Sequence, residues 1–241
     1  MLIAGATLAA YFAYVGFDPQ WRRWSGQYLL VGSMNSAAPF LLYSYAALEL
    51  SAGMMAVINA TSPMWGALLS AIVIRERLSL ARAAGLALGV AGVLLISRPE
   101  SGGSWLGIGA ALGASFFYGL AAVYLRRWGR DVPAKGMAVG TQVAGGLLLL
   151  PLAAIFPPSA LPTPVVWANV LALGLLCSAL AYLLYFRLIA DIGATGALTV
   201  TYLIPVFGVV WGAVFLGEPL SVSMVGGAAL VIAGTALVLR R

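Results

Sequence analysis

Apolar runs of about 20 residues, each long enough to cross a bilayer as a helix, follow one another along the whole chain. The short joints between them hold most of the charge. Spans are predicted near 1–16, 27–47, 52–74, 80–97, 104–125, 136–155, 165–188, 193–216 and 221–239. The pattern therefore predicts an all-α fold, a polytopic helical membrane protein.

Composition agrees with the pattern. Of 241 residues, 62% are hydrophobic and 8% charged, where soluble domains carry roughly 25% charged residues. Seven acids and thirteen basic residues cannot keep a body of this size dispersed in water, and the mean hydropathy is +1.01. The net charge of +6 would suit nucleic acid only if the basic side chains formed a patch. They sit instead in small clusters between spans. Alternating the joints places Arg22, Arg23, Arg75, Arg77, Arg82, Arg126, Arg127, Arg130, Lys135, Arg187, Arg240 and Arg241 on or near one side and Arg98 on the other. Basic joints mark the cytoplasmic face, so the C-terminus is expected inside. The lone Cys177 lies within an apolar run and can form neither an internal disulfide nor a cysteine metal site.

The chain also repeats itself. Pro63 matches Pro205, Glu76 matches Glu218, Gly85 matches Gly227 and Gly92 matches Gly234, all at one offset without a gap (205 − 63 = 142). About a quarter of positions agree, against about one in ten from a skewed composition alone. The loop holding Glu76 is expected on the cytoplasmic side and the loop holding Glu218 on the other. The two copies thus run in opposite orientations, an arrangement common in secondary transporters. The span starting near Ser104 would have its counterpart upstream of Met1, so nine helices of an expected ten are present. The expected domains are a first repeat over 1–98, truncated at its N-terminus, and a second over 104–241, in an inverted repeat of five-helix units.

The segments LYSYAALELSAGMMAVINATSPMWGALLSAIVIRERLSLARAAGLALGVAGVLLI and LLYFRLIADIGATGALTVTYLIPVFGVVWGAVFLGEPLSVSMVGGAALVIAGTALVL resemble the paired EamA domains of the drug/metabolite transporter superfamily. The resemblance implies a ten-helix inner-membrane carrier, often an exporter of amino acids, metabolites or toxic compounds.

Candidate chemistry is sparse. Pro63 and Pro205 fall near mid-span, and each removes the hydrogen bond to the carbonyl four residues earlier, freeing Asn59 and Thr201. In lipid such a carbonyl needs a partner from protein or a water-lined cavity, so both prolines are read as helix breaks at a site. Pro39 frees the carbonyl of Asn35, and nothing at the matching Ala181 repeats it. Asn59, Ser62, Trp65, Tyr118, Tyr182, Thr201 and Tyr202 are the candidate solute-binding residues: polar groups beside the breaks, with aromatic rings to wall an otherwise apolar pocket. Each has a plainer reading. Asn59 and Thr201 can bridge helices, and aromatic rings can anchor at the interface. Glu76 and Glu218 precede Ser79 and Ser221, which reads as a carboxylate and a hydroxyl cap at the start of the following helix.

The leading reading is a secondary transporter of small metabolites, amino acids or drug-like solutes working by alternating access. Its partners are a small-molecule solute and the lipid bilayer, with a homodimer allowed and nucleic acid excluded. A carrier of sugar phosphates or nucleotide sugars would need Lys or Arg facing the centre, and the predicted span interiors contain none. A transport-inactive membrane subunit remains as an alternative. An enzyme would need clustered acids, histidines or metal ligands at one depth, and the chain has no histidine. No catalytic residue, metal site or cofactor is expected.

Overall fold

The computed structural model describes residues 1–97, 104–158, 161–185, 187, 188, 191 and 200–239. Arg98, Arg240 and Arg241, used above to orient the chain, lie outside the described residues. In chain order the helices are α1 (Leu2–Tyr14), α2 (Trp21–Gly32), α3 (Ala38–Ala46), α4 (Ala52–Asn59), α5 (Ser62–Val73), α6 (Leu80–Ile96), α7 (Trp105–Trp128), α8 (Ala134–Ile155), α9 (Pro164–Gly174), α10 (Val200–Leu216) and α11 (Val222–Leu239). Two π-helical segments, Ser33–Ala37 and Leu175–Leu180, follow α2 and α9. Five helical runs are long and apolar enough to cross a bilayer: Ala52–Val73, Trp105–Trp128, Ala134–Ile155, Pro164–Tyr185 and Val222–Leu239. The first of these joins α4 to α5. Large apolar side chains such as Leu106, Val214, Phe215 and Val222 face outward, as they do when lipid is the solvent.

Helix starts follow from local chemistry. Ser51, Ser79, Thr163 and Ser221 accept hydrogen bonds from the backbone N–H groups of Met54, Arg82, Val166 and Met224, each satisfying a donor that a helix start leaves orphaned. The ends of α5 and α10 close alike. Arg75 and Gly217 both take a left-handed conformation (φ 59° and 65°), and Glu76 and Glu218 donate their backbone N–H to the carbonyls of Ser70 and Gly212. Glycine reaches that conformation freely, whereas arginine adopts it against a steric cost.

The chain divides into two compact units, Met1–Ala37 with Trp128–Ala197, and Ala38–Arg127 with Leu198–Arg241. In the first, α1 and α2 pack on α8. Small residues on α8 allow the approach: a Cβ on Gly145 would collide with Ser36, and one on Gly140 with the ring of Tyr28. Tyr28 is buried, and its hydroxyl donates to the Pro19 carbonyl at 2.6 Å.

In the second unit α6 and α11 form the most extensive helix pair. A Cβ on Gly85 would meet the Gly234 carbonyl oxygen at 2.6 Å, and one on Gly92 would meet that of Gly227 at 2.8 Å. Backbones this close are the small-residue packing of membrane helices, where apolar burial drives nothing because lipid is equally apolar. Residue numbers rise along one helix as they fall along the other, so the pair is antiparallel. Gly85 and Gly227 are repeat equivalents, as are Gly92 and Gly234. Each contact is therefore the image of the other under exchange of the two copies, and the inverted repeat appears here as a two-fold seam.

Candidate functional site

The second unit holds a cavity of about 410 Å³, lined from α5, α6, α7, α10, α11 and the α5–α6 turn. Its lining carries Ser62, Pro63, Tyr118 and Thr201, the small apolar residues Gly66, Ala67, Ala122 and Val238, and the charged residues Glu76, Arg82 and Arg126.

The wall at Pro63 is built by a helix interruption. Helix α4 ends at Asn59 and α5 begins at Ser62, with Pro63 in its first turn. The missing proline N–H is harmless there, because the first N–H groups of a helix have no intrahelical partner. The carbonyls released upstream are taken by hydroxyls. Ser62 Oγ donates to the Asn59 carbonyl at 2.6 Å, Ser115 Oγ to that of Ile58 at 3.0 Å, and Thr235 Oγ1 to that of Ala60 at 2.9 Å. The Asn59 side chain is held as well: its Oδ1 accepts from Tyr43 OH at 3.1 Å. Tyr43 in turn stacks on Tyr118, ring centroids 6.3 Å apart. The interruption is thus tied to the cavity wall through Asn59, Tyr43 and Tyr118.

Pro205 behaves differently. Helix α10 runs from Val200 to Leu216 straight through it, where the sequence predicts a second break. The residues beside it explain the difference. Thr61 and Ser62 correspond at the repeat offset to Leu203 and Ile204, so α10 lacks a hydroxyl at the two positions directly before its proline. A break would release carbonyls beyond that of Thr201, and the cost of each in a bilayer favours a continuous helix.

The candidates are therefore dispersed. Ser62, Tyr118 and Thr201 line the cavity, with Pro63 beside them. Asn59 stands behind the wall in the hydrogen-bond network. Trp65 lines a separate depression of about 350 Å³ with Met64, Leu68, Val90 and Leu94, which is almost wholly apolar, and its ring meets Phe116 edge-on at 5.6 Å. Tyr202 is half-buried on α10 and does not line the 410 Å³ cavity. Tyr182 belongs to the other unit, where its hydroxyl is hydrogen-bonded to Gln142 and Asn35. Close to that group Ser36 Oγ and Gln142 Oε1 are buried without a hydrogen-bond partner among the described residues.

Residues the sequence reading passed over do much of the structural work. Tyr43, Ser115 and Thr235 are single hydroxyls on otherwise apolar helices, and that isolation was their only signal. Glu76, Arg82 and Arg126 were read as helix-end chemistry and orientation charge. Arg126 makes a two-pronged contact with the Glu76 carboxylate, Nη1 to Oε2 at 3.1 Å and Nη2 to Oε1, and Arg82 Nη1 lies 3.6 Å from Oε2. The hydrogen bond from Arg126, reinforced by the charges of both arginines, holds the Glu76 carboxyl below its ordinary 4.5. Glu218, expected to cap the helix after it, instead accepts from the backbone N–H groups of Ala52 and Gly53 at the start of α4, at 2.6 and 3.0 Å.

Comparison with known proteins adds a family. The profile of the EamA-like transporter family matches residues 1–98 and 105–240. The chain is 28% identical over 218 residues to the transporter YvbV of Bacillus subtilis, covering 88% of this chain and 70% of that one. It is 29% identical over 222 residues to a probable terminal-alkyne amino-acid exporter of Streptantibioticus cattleyicolor, covering 88% and 72%. Against the protein PecM of Dickeya dadantii it is 28% identical over 224 residues, covering 89% and 74%. A solved crystal structure shares the fold, with TM-score 0.67 and 24% identity over 98% of this chain and 83% of that one.

Proposed function

The chain belongs to the EamA-like transporter family, and on that premise we propose that it is a secondary carrier moving a small, partly apolar solute by alternating access. The observation that carries this reading is the 410 Å³ cavity, lined by side chains from both expected repeats, 1–98 and 104–241. Its volume lies in the range of small-molecule sites. Ser62, whose O–H is donated to Asn59 and whose oxygen can still accept, stands with the Tyr118 and Thr201 side chains as a few polar groups within an apolar wall, which suits a solute with an apolar body and one or two polar groups. The interruption at Asn59–Ser62 supplies a hinge, since few backbone hydrogen bonds cross it.

The name of one relative, a probable terminal-alkyne amino-acid exporter, favours export. The basic joints favour a cytoplasmic C-terminus in a bacterial inner membrane. In this reading Asn59 positions the wall through Tyr43, and Trp65, Tyr182 and Tyr202 stand outside the solute's first contacts.

Purified chain reconstituted into sealed lipid vesicles tests the proposal. Candidate amino acids and amphipathic metabolites should equilibrate faster than in protein-free vesicles, and Thr201→Ala or Ser62→Ala should slow that flux per folded molecule. Flux equal to the protein-free control across the panel would leave the subunit reading in its place.

A further inference from the structure

At the Glu76 end of the cavity two guanidinium groups face one carboxylate, and the three come from separate elements: Glu76 from the α5–α6 turn, Arg82 from α6 and Arg126 from α7. The side chains are 27%, 32% and 51% exposed respectively. A pair this open contributes little to stability, so exchange of its carboxylate for another costs the fold little. The two-pronged contact from Arg126 is the geometry by which arginine recognises a carboxylate. Glu76 also differs from its repeat equivalent. Glu218 is committed to the backbone N–H groups of Ala52 and Gly53, whereas the Glu76 carboxylate meets the arginine side chains of Arg126 and Arg82 and lines the cavity.

We propose that this end of the cavity is a docking site for a small monocarboxylate, in which Arg126 and Arg82 receive the carboxylate of the solute and Glu76 is a built-in competitor that occupies them until the solute displaces it. The inference rests on the carrier reading and adds the solute's chemical class. Charge selects the monoanion. Among the described charged residues of the lining, two arginines, the displaced Glu76 and one incoming carboxylate sum to zero, whereas a phosphate dianion would leave that sum negative. The Gly66, Ala67, Ala122 and Val238 part of the lining takes an apolar body, and Ser62, Tyr118 and Thr201 in the same lining can meet a second polar group.

The test uses the full chain in lipid nanodiscs and a panel of aliphatic and aryl monocarboxylates of about five to nine carbons, sized for such a pocket. Each acid is paired with its neutral amide, and phenyl phosphate is included. Wild type should bind its best acid at least about tenfold more tightly than the matching amide. If Glu76 holds the arginines about nine-tenths of the time, Glu76→Gln raises apparent affinity for the acid about tenfold, because the competent fraction rises towards one. Affinity for the amide should not change. Arg126→Gln should abolish the preference and Arg126→Lys should restore part of it. The doubly neutral Glu76→Gln/Arg126→Gln variant, with its melting temperature recorded, guards against a folding defect.

Equal binding of acid and amide, no binding of either, tighter binding of phenyl phosphate, or an unchanged acid affinity in Glu76→Gln would each overturn the proposal. Flux into sealed vesicles separates the two readings. Transport with no preference for acids keeps the carrier and removes the docking site, whereas acid-selective binding with no flux keeps the site and removes the carrier.

Discussion

Two pairs of repeat-related segments depart from regular α-helix in opposite ways. In the second unit the pair shares a proline, yet the backbone parts beside Pro63 and runs on through Pro205. In the first unit the pair does not share one: the π-helical segment Ser33–Ala37 precedes Pro39, and its counterpart Leu175–Leu180 precedes Ala181. Adding 142 to 33–37 gives 175–179, so this deformation is preserved although its proline is not. In a bilayer the partner offered to a released carbonyl decides the outcome, and proline only makes the release easier. At Pro63 the partners are Ser62, Ser115 and Thr235. In Leu175–Leu180 Ser178 Oγ donates to the Leu173 carbonyl at 3.0 Å, and the widened turn needs no proline.

The largest expected effect comes from removing the partners. Ser115→Ala with Thr235→Val would remove the side-chain partner of the Ala60 carbonyl and the interhelical partner of the Ile58 carbonyl, which keeps only the local hydroxyl and N–H of Thr61. Interhelical hydrogen bonds in membranes are worth about 0.6 kcal/mol on average and up to about 1.7, so the double variant should lose about 1 to 3 kcal/mol in reversible unfolding from micelles. A loss no greater than that of Ser70→Ala, a buried hydroxyl later in α5, would mean that the break does not depend on these hydroxyls.

Next in size is the converse experiment, supplying partners where they are missing. Leu203→Thr with Ile204→Ser gives α10 the hydroxyls that flank Pro63. Local opening around Pro205 should become easier, with amide exchange of Val206 to Val210 accelerating about tenfold, equivalent to about 1.4 kcal/mol. Exchange as slow as in the parent would show that packing holds α10 straight, independently of carbonyl supply.

These outcomes also mark how far the sequence could be read. The spans were legible because lipid imposes a minimum apolar length, and the repeat because glycines at Gly85, Gly92, Gly227 and Gly234 keep one offset. Their pairing, Gly85 with Gly234 and Gly92 with Gly227, follows once one copy is inverted. Ser62, Tyr118 and Thr201 were legible as polar atoms in apolar helices. The unbroken α10 is legible in Leu203 and Ile204, the apolar neighbours of Pro205, rather than in the proline itself. Arg82 and Arg126 were not legible as cavity residues, since a guanidinium on a long stem reaches well beyond its own helix end and only the fold says which way.

A smaller effect is expected at Pro39. If side-chain partners hold the first π-helical segment as they do the second, Pro39→Ala leaves it in place and changes stability by less than about 1 kcal/mol. The exchange pattern of Ser33–Ala37 should keep its one-residue shift relative to the turns before it. A return to a regular α pattern there would assign the first π segment to its proline and confine the lesson to the second.

The smallest effect concerns Glu76 and Glu218, a repeat-related pair whose carboxylates have diverged, one towards arginines and the other towards backbone N–H groups. The Glu76 carboxyl is held below its ordinary 4.5 by the Arg126 hydrogen bond. A carboxyl depressed in the folded state adds stability above its unfolded value, and that contribution disappears as pH falls through the folded value. Between pH 7 and 5 the Glu76 contribution should therefore be constant, and it should decline only below about pH 4.5. Because the pair is partly exposed, its size is within about 1 kcal/mol. Comparing unfolding of the parent and Glu76→Gln at pH 7 and again near pH 4 measures it: the difference between the two proteins should be present at neutral pH and smaller in acid. A difference that grows on acidification would mean that the arginines do not stabilise the ionised carboxylate, and the contrast between the two copies at this position would lose its electrostatic basis.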